Sequence, residues 1–155
     1  MARLLIDTTY LLPILGVKIE LKEYEYIFPL VLRRYEVIYN PVSLIEAKWI
    51  LLKLIKTHPE EAAYLLNSYV EGLATIVHSN YLRPTVLTNP KIEEVADKLF
   101  IEIKIKDYFD RIIYATAIYY NATLLTEDQT IKKIRHPEIP RPVVLSWRNI
   151  VSQFK

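Results

Sequence analysis

Cysteine is missing from this chain of 155 residues, glycine occurs twice, and methionine once. Without a thiol there are no disulfides and no thiolate metal sites, and a reducing, cytoplasmic location is expected. Two glycines cannot supply a glycine-rich nucleotide loop, which argues against an ATP-driven enzyme. The longest run free of charged residues, Ile112 to Thr126, has 15 members and contains polar groups. A membrane helix needs about 20 apolar residues, so no membrane span is expected. The N-terminus shows no signal-peptide pattern. Histidine is also scarce: His58, His78 and His136 adjoin helix ends or loops and form no acid–base pair.

What the chain does contain is core. Apolar residues make up 52% of it, enough for a folded domain and too many for a disordered chain. Residues 1–150 read as one domain and 151–155 as a short polar tail free to fray. The formal charge of +2 permits a nucleic-acid partner without requiring one.

Short apolar runs separated by helical periodicity organise the chain. Arg3 to Ile6 suits a buried strand, and Thr8 onward bends toward a helix that Pro13 begins. Leu21, Tyr24, Ile27, Phe28 and Val31 recur at helical spacing between about Glu20 and Arg34, with a kink expected at Pro29. Glu36 to Tyr39 is a strand and Asn40-Pro41 a turn. Ser43 is the expected cap of a helix running to about Lys56. His58-Pro59 separates that helix from the next, Glu60 to Ser79. Asn89-Pro90 starts a helix to about Leu99. Phe100 to Lys106 alternates apolar and charged residues and reads as a short strand or a connector. The next helix starts at Asp107 or Tyr108 and ends near Asn121. Thr123 to Leu125 is a strand, Asp128 to Ile134 a short helix, and Val143 to Leu145 a last strand. Strands alternating with helices predict a three-layer α/β/α sandwich with a mostly parallel central sheet.

Four acids stand at the ends of these elements. Asp7 follows the first strand, Glu46 lies one turn into a helix, Asp110 opens a long apolar helix, and Asp128 follows a short strand. Ligands of open parallel sheets bind beyond the carboxyl ends of the strands, so this placement brings the acids to one crevice. Clustered carboxylates repel, and a hard divalent cation is the natural remedy. Each acid also has a structural reading. Ser43-x-x-Glu46 fits a capping box, Asp107 suits the cap of the helix that holds Asp110, and Thr126 with Gln129 makes a second box. Asp7, beside three apolar residues, is the hardest to explain structurally.

At these positions the chain resembles the PIN domain, in particular the VapC-like toxin ribonucleases of toxin–antitoxin systems. The motifs are Leu4-Leu-Ile-Asp7-Thr8-Thr9, Pro41-Val-Ser-Leu-Ile-Glu46-Ala-Lys-Trp49, Asp110-Arg-Ile-Ile-Tyr-Ala-Thr-Ala117 and Leu124-Leu-Thr-Glu-Asp128, in the family's order. The resemblance implies a catalytic and metal-binding quartet of Asp7, Glu46, Asp110 and Asp128. Thr8, Thr9 and Thr126 would support it. Asp107, an additional acid one turn before Asp110, is a supporting or alternative ligand. No organic cofactor is implied. The implied activity is a Mg²⁺- or Mn²⁺-dependent endoribonuclease that hydrolyses RNA to 5′-phosphate and 3′-hydroxyl ends. Arg111 is the first candidate for contact with RNA, and Lys104, Lys106, Lys132, Lys133, Arg135 and Arg141 could line its approach. The resemblance also implies a homodimer and a cognate antitoxin protein, for which Tyr24, Tyr26 and Phe28 offer an aromatic surface. The competing readings are a non-catalytic PIN-like protein-interaction module and another metal-dependent phosphohydrolase.

Overall fold

Five short strands, β1 (Arg3–Ile6), β2 (Glu36–Tyr39), β3 (Leu82–Pro84), β4 (Thr123–Leu125) and β5 (Val144–Leu145), form one sheet in the order β3-β2-β1-β4-β5. The structure is a computed structural model that describes residues 1–155. All four pairings are parallel; Leu4 lies opposite Val37 on one side and Thr123 on the other. The helices are α1 (Tyr24–Arg34), α2 (Val42–Thr57), α3 (Ala62–Val77), α4 (Pro90–Ile103), α5 (Tyr108–Tyr119), α6 (Gln129–Lys132) and α7 (Trp147–Ser152).

The pleat explains the three layers. Successive side chains of β1 point to opposite faces, and both faces are apolar. Leu4 and Ile6 join a core with Val31 of α1, Leu51 of α2, Ile76 of α3 and Ile150 of α7. Leu5 joins the opposite core with Leu99 of α4, Ile113 and Tyr114 of α5, and Ile131 of α6. From β1 the chain builds outward to β2 and β3 in one direction and later to β4 and β5 in the other. The reversal opens a crevice beyond the carboxyl ends of β1 and β4.

Several boundaries depart from the sequence reading. The chain after β1 makes a single 3-10 turn, Thr8–Tyr10, and continues through turns to Gly16 without the helix expected at Pro13. Gly16 has φ +89°, and a Cβ there would lie 2.6 Å from that of Ser68. A Cβ on Gly72 of α3 would lie 2.1 Å from the Ile14 carbonyl oxygen. Both glycines of the chain therefore serve one contact, where residues 14–16 lie against α3. Helix α1 starts at Tyr24 and passes through Pro29. Phe28 is core, Tyr24 stacks on it at 4.7 Å, and only Tyr26 of the expected aromatic surface is exposed.

Ser43 does not cap α2. It lies inside the first turn, buried, its Oγ without a partner, while Asn40 Oδ1 accepts the Val42 N–H at 2.9 Å. Phe100–Ile103, read as strand or connector, completes α4, which ends where Lys104 takes a left-handed φ of 66°. Strand β3 escapes the sequence reading because it is an edge strand with one buried residue, Leu82. The boundary drawn at residue 150 falls within α7, where Ile150 and Val151 are both buried behind a Ser146/Asn149 capping box.

Candidate active site

The end of β1 sets the first wall of the crevice. Asp7 remains extended, and its N–H donates to the Leu125 carbonyl at 3.0 Å, continuing the pairing with β4. Its carboxylate is held on both oxygens. Oδ1 accepts the Thr8 N–H at 2.6 Å, and Oδ2 accepts the Thr126 hydroxyl at 2.8 Å. Thr126 Oγ1 in turn accepts the Asp128 N–H at 3.1 Å. Asp128 caps α6, its Oδ1 accepting the Thr130 N–H at 2.8 Å. Thr126 is thus a hub between Asp7 and Asp128, and Asp128 supplies the cap that Thr126 was expected to provide.

Helices α2 and α5 supply the second wall. Glu46 accepts the Thr8 hydroxyl. Asp107 caps α5, its Oδ1 accepting the Asp110 N–H at 3.2 Å. Asp110, in the first turn, accepts no hydrogen bond on its own carboxylate. Carboxylate oxygens of Glu46, Asp107 and Asp110 all lie within 4.8 Å of one another. The tightest grouping therefore includes Asp107, the acid treated as supplementary, and excludes Asp7 and Asp128, which form the adjoining wall.

These groups share one electrostatic field. Burial pushes Asp110 up to about 7, and the charges of Asp107, Asp7, Asp128 and Glu46 add to the effect. Burial likewise raises Glu46, with Asp7 and Asp107 adding to it and the Thr8 hydroxyl opposing. Asp7 is raised by burial despite its two hydrogen bonds, with Asp128 and Asp107 contributing repulsion. None of the chain's four ion pairs involves these acids. A cluster of oxygen donors with no basic side chain to neutralise it fits a hard divalent cation, and Asp110, whose carboxylate accepts no hydrogen bond, is its least satisfied member.

Two polar networks, not singled out in the sequence, hold the walls in place. Buried Asn40 donates to Thr116 Oγ1 at 2.9 Å and to the Leu87 carbonyl at 3.0 Å, tying the start of α2 to α5. Glu127 Oε2 accepts both the Tyr10 hydroxyl at 2.7 Å and the Trp147 N–H at 2.8 Å, joining the turn after Asp7 to α7. Their signals were an Asn-Pro turn, a threonine within an apolar helix, and an acid between Thr126 and Asp128. Thr9 takes no part in either network.

Arg111 lies beside the second wall but makes no ion pair with it. Its guanidinium sits 4.7 Å from the Phe100 ring centroid and 5.0 Å from that of Tyr108, and its Nε is buried without a partner. The histidines lie outside the cluster: His58 pairs with Glu60, His136 with Glu102, and His78 contacts the Ala74 carbonyl.

No helix is long and apolar enough to cross a membrane. No curated protein matches the chain by sequence. Similar folds occur in the VapBC2 structure from Rickettsia felis bound to a promoter DNA fragment, with TM-score 0.64 and 17% identity over 94% of this chain and 98% of the other. PAE2754 from Pyrobaculum aerophilum gives TM-score 0.64 and 14% identity over 98% and 94%. A toxin–antitoxin complex from Klebsiella pneumoniae gives 0.53 and 18% over 94% and 100%. At these identities the likeness is one of fold. The PIN domain family matches residues 4–137, which carry all five acids of the crevice, and the chain belongs to that family.

Proposed function

We propose that this protein is a divalent-metal-dependent endoribonuclease, the toxin of a toxin–antitoxin pair. The observation that carries the reading is the meeting of Glu46, Asp107 and Asp110 within 4.8 Å, with no basic side chain to neutralise them. In this reading those three acids hold a Mg²⁺ or Mn²⁺ ion, and Asp7 and Asp128 form the wall that completes its site or holds a second ion. Bound there, the metal would supply Lewis-acid stabilisation of the phosphate and acidify water. Thr8 orients Glu46, and Thr126 orients Asp7. Arg111, fixed between two rings with donors to spare, would receive a backbone phosphate at the rim. Hydrolysis of RNA would leave 5′-phosphate and 3′-hydroxyl ends.

A cognate antitoxin, a homodimer, a cytoplasmic location and a single nuclease domain, closed by the whole of α7, belong to the same reading. Ile45, Trp49 and Leu52 support a protein partner. They are exposed and recur at helical spacing on the helix that carries Glu46.

Incubation of a labelled single-stranded RNA with Mn²⁺, followed by end-group analysis, tests the activity. Cleavage to the stated ends that disappears in a folded Asp110→Asn variant is expected. A phosphomonoester cleaved while RNA survives would favour the phosphohydrolase reading, and no metal binding would favour the interaction module.

A further inference from the structure

Two aromatic rings beside the second wall of the crevice belong to none of the hydrophobic cores. Phe100 of α4 is 50% exposed and Tyr108 of α5 is 48% exposed. The Arg111 guanidinium lies over both, 4.7 Å from the centroid of the first and 5.0 Å from that of the second. Each ring is held in place. Leu99, directly before Phe100, is fully buried in the core beneath α4. The Tyr108 hydroxyl lies 2.7 and 2.9 Å from the two carboxylate oxygens of Glu93, which also accepts the Thr88 hydroxyl. Groups already fixed in this way lose little freedom when a ligand is laid on them.

Single exposed apolar residues need no explanation, but ring, guanidinium and ring here make one contiguous strip. It offers flat π surface together with a positive charge that enters none of the chain's four ion pairs. A nucleotide supplies both complements, a planar base for the rings and a phosphate for the guanidinium. Position points the same way. Tyr108 directly follows Asp107, and Arg111 directly follows Asp110, so the strip and the acids run side by side along the first turn of α5. A strand with one phosphate at the acids carries a flanking base past the strip. A protein segment covering the rings would gain nothing from that adjacency.

We infer that Phe100 and Tyr108, braced by Arg111, form a stacking platform for one unpaired nucleobase next to the phosphate that is cleaved. The inference rests on the nuclease reading and narrows its substrate. Bases inside a duplex are closed on both faces by their neighbours, so the platform selects RNA that is single-stranded or looped at the site. Stacking tolerates every base, since each has a π face, so the platform selects strandedness before sequence.

The test uses single-stranded oligoribonucleotides that carry one 2-aminopurine, moved along the sequence, with the full chain and Ca²⁺ in place of Mg²⁺ or Mn²⁺. Stacking quenches this base, so its emission is expected to fall on binding at one position and not at the others. Phe100→Leu and Tyr108→Leu keep apolar bulk at half-exposed positions and remove the π face. Each should abolish the quenching and weaken binding about 10-fold. Neither should weaken binding of a strand that is abasic at that same position. Circular dichroism checks both folds, and should one variant fail to fold, the other decides. Quenching and Kd unchanged in the variants would overturn the platform, as would an equal loss of affinity for the abasic strand. A fully paired duplex bound as tightly as the single strand would overturn it too. RNA bound without any quenched position sinks the platform alone, whereas a wild type that binds no RNA sinks it together with the nuclease reading.

Discussion

The two walls of the acidic crevice are made of the same chemistry and held in opposite ways. Asp7 and Asp128 receive backbone and hydroxyl donors, which at Asp7 oppose the effect of burial without overcoming it. Among Glu46, Asp107 and Asp110, donors are fewer, the oxygens crowd within 4.8 Å, and Asp110 receives none. In the proposed site the first wall would hold its carboxylates in place without an ion, and the second would crowd charge that an ion relieves. The difference is one of restraint: hydrogen bonds fix the first wall, while burial and mutual repulsion dominate the second.

The sharpest way to break this contrast is Asp110→Asn, which should lower Mn²⁺-dependent cleavage by about 100-fold or more while stabilising the metal-free fold. The sign follows from its pKa, raised from 3.8 to about 7. The native state holds this proton more tightly, so the contribution of Asp110 to stability is full below about pH 4 and is lost as pH rises toward 7. After allowance for solvent screening of this half-exposed group, the decline is about 1–2 kcal/mol. Thermal melts of metal-free wild type and variant between pH 4 and 8 would show it. A variant with the wild-type pH dependence would remove Asp110 from the role of repelled ligand.

Thr126→Val probes the first wall. It removes the donor to Asp7 and the acceptor of the Asp128 N–H, and should cost about 10–100-fold in metal affinity or rate. It should also cost about 1–3 kcal/mol in stability, the reverse of Asp110→Asn. Calorimetric Mn²⁺ titration and denaturant unfolding read the two effects. Asp107→Asn is the finest discriminator. Asparagine caps as well as aspartate and removes the repulsion that Asp107 adds at Asp110, so the metal-free fold should be stabilised by less than Asp110→Asn stabilises it, while Mn²⁺ affinity falls about 10-fold. Unchanged affinity would reduce Asp107 to a helix cap.

The strands and the carboxylates were legible in the sequence for a common physical reason. A central parallel strand is apolar on both faces, so Leu4-Leu5-Ile6 advertises itself, and an acid directly after such a run is conspicuous. Elements supported from one side advertise little. Leu82 is the lone buried residue of β3, and the alternation of Phe100 to Lys106 hides the last turn of α4. Capping was misread where a tertiary partner decided it: Asn40, tied to Thr116, took the place of Ser43 at α2. Asp107 was visible as an acid, but its grouping with Glu46 depends on how α2 and α5 approach, which spacing along the chain does not encode. Glu127 was hidden for the same reason, since both its donors lie far from it in sequence.

Replacing glycine with alanine is a routine route to thermostability, because it reduces the freedom that the unfolded chain loses on folding. Here that route is closed. Of the two glycines, one has φ +89° and both sit where an added methyl would strike α3 or the turn beneath it. Directed evolution toward higher temperature would have to work through surface charge, helix caps and loops, leaving the joint between residues 14–16 and α3 untouched.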